Sequence, residues 1–331
     1  NTEDPDAPFA GLFFGIGDAT VQDLVIDSSC SFAGIYAGTL GTILAGSLTL
    51  TTVTNKATVR GSSEAGGFVA VGMGSLHQVN QVTFKNCVND GTITGKQASG
   101  AFISEISEQA FVTVTLSDSI NNGNISGQGE LGGFVGAIGE NNNTKMTISN
   151  CVNNGLITGE GGMGGFTGVF LDNRYMEIII SNCVNNGPIT GELVDGGFVG
   201  GFVGGIDHNN GTSMILFNCT NTGEINGTDF IGGLVGAIGS DNDHHSVSFS
   251  IISSANKGNV SAVFFACGMI CVPPENRGDV NATVLNVINK GSVNATTNAY
   301  GITNNITKAR NVVSMGEVTA SSDSFTFWES P

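Results

Sequence analysis

Apolar and polar residues alternate along this chain in short runs, and an Asn-rich turn closes a run about every 32 residues. The segment Asn150-Cys-Val-Asn-Asn-Gly155, followed by Ile157-Thr-Gly159 and Gly164-Gly-Phe166, returns as Asn182-Cys-Val-Asn-Asn-Gly187, Ile189-Thr-Gly191 and Gly196-Gly-Phe198. Anchored on the turn residue, the repeats sit at Ala57, Gly91, Gly123, Gly155, Gly187, Gly223, Gly258, Gly291 and Gly316. Before the anchor stand the columns Leu116, Ile148, Ile180 and Ile120, Val152, Val184; just after it comes Ile125, Ile157, Ile189. Beyond these, at a constant offset, lie Phe102, Phe134, Phe166, Phe198 and Leu234. Period-2 apolar positions rich in β-branched residues, divided by turn residues, predict short strands, and no helix-period stretch intervenes.

Each repeat predicts three strands: one before the Asn-rich turn, one after it, and one starting at Gly-Gly-Phe. Columns that recur in register predict an all-β fold, a parallel β-helix (solenoid) of roughly nine to ten coils. Stacked Asn side chains suit that fold. Asn150 and Asn182 form one column and Asn153 and Asn185 another; amides hydrogen-bond along a stack, and Asn tolerates the left-handed turn conformation. A β-hairpin at each Asn-Gly is the competing reading, and the three-strand period argues against it. The pattern divides the chain into irregular coils over 1–47, regular repeats over 48–306 and a truncated last coil over 307–331. In that last part Ser324-Phe-Thr-Phe-Trp328 is expected to cap the exposed strand edges.

Composition narrows the function. Gly is 50 of 331 residues, Pro only 6, and 40% of the chain is hydrophobic, so it packs a core and is neither collagen-like nor disordered. The net charge of −17, with 11 Lys and Arg spread along the length, excludes nucleic acid and an anionic membrane surface as direct partners. No apolar run is long enough to span a bilayer as a helix. The chain opens on Asn1 and not Met, as expected of a processed or trimmed product.

Gly132-Gly-Phe-Val-Gly136 and Gly232-Gly-Leu-Val-Gly236, with their Asn-rich spacers, resemble the GLUG-type repeat of large extracellular proteins. The stretch Leu24-Val-Ile-Asp-Ser-Ser-Cys-Ser-Phe32-Ala-Gly34 is similar to one in large repeat surface proteins of trichomonad-like protists. The resemblance implies a stalk or spacer outside the cell and carries over no catalytic residue.

Length changes between repeats are expected to gather on one edge, after the Gly-Gly-Phe aromatic, in segments such as 140–144, 171–175, 207–211 and 241–245. Such an edge is either a binding face or a set of solvated connections. Asp207, His208, Asp241, Asp243, His244 and His245 are weak metal-ligand candidates, because the two loops are neighbours but their spacing matches no metal motif. No catalytic constellation is evident: no phosphate loop, no serine elbow, no carboxylates paired on one strand face. No cofactor is expected.

Cys87, Cys151, Cys183 and Cys219 share one column; Cys151 and Cys183 fall within disulfide reach, or form part of a ladder of semi-buried thiols. Cys267 and Cys271 are spaced closely enough to pair. Candidate glycan acceptors are Asn124, Asn142, Asn210, Asn226, Asn281 and Asn294, with Asn142 and Asn210 in the variable loops. The leading expectation is a non-enzymatic extracellular or cell-surface stalk or adhesin whose loop edge meets a glycan or protein. The alternatives are a filament subunit that adds copies of itself end to end, and a β-helical polysaccharide-processing enzyme.

Overall fold

The computed structural model describes residues 2–3, 6–73, 79–108, 111–191, 197–239, 247–273, 280–304 and 306–325. They contain no helix and form a β-solenoid of about eight turns, about 32 residues each, in which paired strands run parallel. One turn shows the plan: strands Ile93–Gly95 and Ala98–Gly100 lie in one sheet, and Ile103–Ser107, Thr113–Ser117 and Ile120–Asn121 in the other. Each turn repeats this in strict register, as in Ile93↔Ile125↔Ile157↔Ile189. The three expected strands are thus divided into five, and two local features divide them.

The first is a left-handed residue. Asn86, Asp118, Asn150, Asn182 and Asn218 have φ of 52, 52, 55, 54 and 52°. Asn and Asp reach this region at little cost, because a short polar side chain bonds locally. One such residue inserts an extra step into the in–out alternation. Leu116 points into the core, and the next inward residues are Ser119 and Asn121 rather than Asp118. The column Ile120, Val152, Val184, which reads in the sequence like its apolar neighbours, is therefore half-exposed, and the column Asn121, Asn153, Asn185 is fully buried. Buried amides need partners, and these have them. Asn121 Nδ2 donates to Asn153 Oδ1 at 2.7 Å, Asn153 to Asn185 at 2.7 Å and Asn185 to Asn221 at 2.8 Å. The same ladder starts at Asn55 and ends on the Ser314 hydroxyl.

The second feature is a glycine corner between the sheets. A Cβ on Gly132 would lie 1.8 Å from the Val135 carbonyl oxygen, and one on Gly136 would lie 2.5 Å from that of Ser104. Gly132 and Gly136 therefore let neighbouring backbones touch, and the chain bends sharply between the strands Glu130–Gly132 and Val135–Gly139. This is the physical content of the repeated Gly-Gly-Phe-Val-Gly. At a later corner, Cys267 stacks on Gly232 and is joined to Cys271 by a disulfide, with 5.5 Å between the Cα atoms.

Inside the corner, Phe102, Phe134, Phe166 and Phe202 stack with ring centroids 4.7, 4.9 and 4.8 Å apart. The constant offset placed Phe198 in this column. The structure places Phe202 there, four residues further on, because the extra residues of this turn fall before the corner and not after it. Phe198 is half-exposed and stacks instead beside Phe230. Shorter turns stand at both ends: the offset between stacked residues is 28 at Thr42 and Phe14 and 25 at Asn311 and Asn286. Asp323–Phe325 pairs with Asn298–Tyr300 and adds one more rung, so this part of the expected cap continues the coil. Phe327 and Trp328 lie outside the described residues.

Candidate binding recess beside the loop edge

The sharp corner leaves a groove outside it. One wall is the outward row Glu64, Ala98, Glu130 on the strands before the corner; the other is Val71, Glu105, Ala137, Val169, Gly205 on the strands after it. In later turns side chains fill the groove. Val169 packs against Gly162, where a Cβ would lie 2.0 Å from its Cγ2, and the Phe198 ring covers Gly205, where a Cβ would lie 2.8 Å from Cδ2. Ala98 and Ala137 are too small to meet across it. There the groove stays open as a recess of about 380 Å³, edged by Lys96, Gln97, Glu105, Gln128, Glu130 and Glu140 over a partly apolar floor of Ala98, Ala137 and Val169.

Glu64, one turn before Ala98 in the same row, is only 3% exposed. The Ser104 hydroxyl stands 3.3 Å from Glu64 Oε2 and 3.0 Å from the Ala98 carbonyl oxygen, and the Glu105 carboxyl hydrogen-bonds to that of Glu64. Burial, the Glu105 charge and that hydrogen bond push the Glu64 carboxyl up to about 8, and Glu130 adds to the effect. At neutral pH Glu64 therefore keeps its proton, chiefly because its burial disfavours the charged form. Burial, seconded by the Glu105 charge, also raises Glu130, against the pull of its own backbone hydrogen bond. The arrangement offers carboxyl and amide groups to a ligand at the mouth of a recess with an apolar floor, the usual make-up of a small binding site.

Sequence reasoning missed these three carboxylates. They come from separate turns and match no motif; the one available signal is that Glu64 and Glu130 occupy a column that elsewhere holds Ala98 and Phe198.

The loop edge adjoins the recess, and Glu140 belongs to both. Asn141, Asn173 and Asn209 form a further buried ladder: the Asn173 and Asn209 Oδ1 atoms accept from the backbone N–H of Asn141 and Asn173 at 3.1 and 2.8 Å. Arg174 makes parallel bridges to Asn142 and Asn210 on either side. A second, polar recess of about 400 Å³ opens here among Glu140, Asn142, Asp172 and Arg174.

Of the metal candidates, Asp207 and His208 sit together on this edge, His208 Nδ1 lying 3.1 Å from Asp207 Oδ2. Asp241, Asp243, His244 and His245 lie outside the described residues, and among the described residues no three His, Cys, Asp or Glu side chains are grouped to hold an ion. Asn124, Asn142 and Asn281 are exposed, while Asn210, Asn226 and Asn294 are partly covered. Cys151 and Cys183 are thiols and not a disulfide: each Sγ donates back to the carbonyl two residues earlier, Ser149 at 3.2 Å and Ser181 at 3.1 Å. Burial pushes the Cys87 and Cys183 thiols up, away from the reactive thiolate. No protein family, curated protein or solved structure matches the chain.

Proposed function

We propose that this chain is a non-enzymatic, extracellular or cell-surface repeat protein, a rigid solenoid whose loop edge and adjoining recess bind a glycan or protein partner. The observation that carries this reading is the contiguity of the two recesses through Glu140, on an edge held in place by the Asn141–Asn173–Asn209 ladder. A site on such a frame loses little conformational entropy on binding. The Cys267–Cys271 disulfide and the acidic surface support a location in an oxidising compartment outside the cell.

The test is a glycan and host-protein array, run with the parent and with an Arg174→Ala/Tyr175→Ala variant. Tyr175 is 62% exposed beside Arg174, so the pair can be trimmed without opening the core. Binding that falls at least tenfold in the variant is the expected result; binding that ignores the change would sink the loop-edge assignment. Release of reducing sugars in the same assay would replace this reading with a polysaccharide-cleaving one.

A second reading, end-to-end assembly, draws on the first turn, where Leu12, Phe13, Phe14 and Val25 are 52, 55, 64 and 59% exposed. The strand Phe13–Ile26 pairs with Gly41–Asn55 on one side, and its other edge offers backbone groups to a further strand. Electron microscopy separates the two readings: discrete short rods support the first, long fibres the second.

A further inference from the structure

We propose that the two ends of the solenoid dock on each other: the last turn of one copy receives the first turn of a second copy, head to tail, in the register that the internal turns already use. This rests on the end-to-end reading above and adds to it the polarity, the register and the residues that meet.

The core columns are sealed inside the stack and left partly open at its two ends. Leu48, Leu50 and Val53 are fully buried, but Ala19, Val21 and Leu24, which stack on them in the first turn, are only partly so. At the other end Val284, Val287 and Val293 are buried, and their stacking partners Ala309, Val312 and Val318 are half-exposed. Among the described residues the strands Phe13–Ile26 and Lys308–Ser314 are each paired on one side only. Backbone groups and apolar side chains are thus left open together, and one more parallel strand would cover both. Carried across the junction, the columns match. The column that ends at Ala309 begins at Val21, and the column that ends at Val313 begins at Val25. Val25 and Val313 are 59 and 45% exposed, whereas Ile120, Val152 and Val184, between turns of that column, are half-covered. Each bare valine offers the neighbour that the other lacks.

Charge sets the polarity. Residues 1–55 hold Glu3, Asp4, Asp6, Asp18, Asp23 and Asp27 and no Lys or Arg. Asp18, Asp23 and Asp27 are exposed on the first turn. The last sheet strand carries Lys308 and Arg310, both exposed and in no ion pair among the described residues; Glu317 lies past the turn at Gly316, beside the other sheet. In the internal register Arg310 falls under Gln22 of the next copy, beside Asp23, and Lys308 falls under Thr20, two residues from Asp18. Head-to-head contact would oppose carboxylates and tail-to-tail contact would oppose cations, so only head-to-tail docking sets unlike charges together. Such a contact is heterologous and does not close on itself, so copies add in a line.

The experiment is sedimentation velocity and electron microscopy of the full chain, of two single variants and of their mixture. The parent should form fibres one solenoid wide that lengthen with concentration. Gln22→Lys sets an ammonium over Arg310, and Arg310→Glu sets a carboxylate beside Asp23. Each variant alone should need about tenfold more protein to assemble. Mixed in equal amounts they should assemble like the parent, because alternating copies then bring unlike charges, or the parent's own contacts, to every junction. A Val25→Cys/Val313→Cys variant treated with oxidised glutathione should give a ladder of covalent multimers, since stacked Cα atoms lie about 5 Å apart. Val25→Cys alone should give no ladder. All four positions are exposed, and circular dichroism checks that each variant keeps the parent's fold. A parent that stays monomeric at every concentration rejects both this docking and the end-to-end reading beneath it. Fibres that ignore the charge variants and do not cross-link through 25 and 313 overturn this docking and leave end-to-end assembly standing.

Discussion

Asn153 is fully buried and still makes three side-chain hydrogen bonds: it accepts from Asn121 at 2.7 Å and donates to Asn185 at 2.7 Å and to the Gly155 carbonyl at 3.2 Å. Asn153→Leu keeps the branched side-chain skeleton but strands the Asn185 Oδ1 and the Gly155 oxygen in a dry core. A loss of about 2–4 kcal/mol is expected from urea unfolding of the variant. A loss within about 0.5 kcal/mol would mean that the ladder shapes the turn without stabilising it. At this scale the sequence is only half legible. The Asn150 and Asn153 columns look alike as letters, and either could be the left-handed turn residue or the ladder. The φ of 55° at Asn150 and the full burial of Asn153 assign the roles.

The corner is the element that turns a stack of strands into a site. Adding a methyl at Gly132 drives Cβ into a backbone carbonyl, which no rotamer relieves. Gly132→Ala should therefore destabilise by about 1–3 kcal/mol or more, read from the thermal midpoint. The Cys267–Cys271 corner makes the opposite prediction for glycine. Replacing both cysteines by Gly restores the contact used at Gly232 and forgoes only a short cross-link, whose chain-entropy value is about 2 kcal/mol. The double-Gly variant should melt above the double-Ala one; the reverse order would show that this corner is built differently from the others. The glycines of the motif are plain in the sequence, but their reason is not. They have ordinary backbone angles and are required by what lies opposite, which a linear pattern does not show. The same gap explains Phe198: a constant offset cannot tell an insertion before the corner from one after it.

Over the whole molecule the turns are nearly interchangeable, because each contacts only its neighbours and buries the same columns. Excising residues 123–154 joins Asn122 to Gly155 and keeps every column in register. The shortened chain should keep its β circular dichroism and unfold in one step with a smaller denaturant slope, in proportion to the surface removed. Excision of half a turn, which brings unlike columns together, should abolish folding. Equal tolerance of the two deletions would mean that the columns do not specify the stack.

The parallel solenoid, its period and its inward columns at Ile148, Ile157 and Phe166 could be read from the sequence alone. Stacking identical turns copies one side-chain position onto the next, so the repeat of letters is also the repeat of contacts. Tertiary structure alone decided that Val152 faces outward, that Phe202 and not Phe198 joins the stack, and that Glu105, Glu130 and Glu140 edge one recess. Each of these depends on a bend or a left-handed step that redirects the chain between strands. Such a step depends on the backbone packed against it as much as on the residue that makes it.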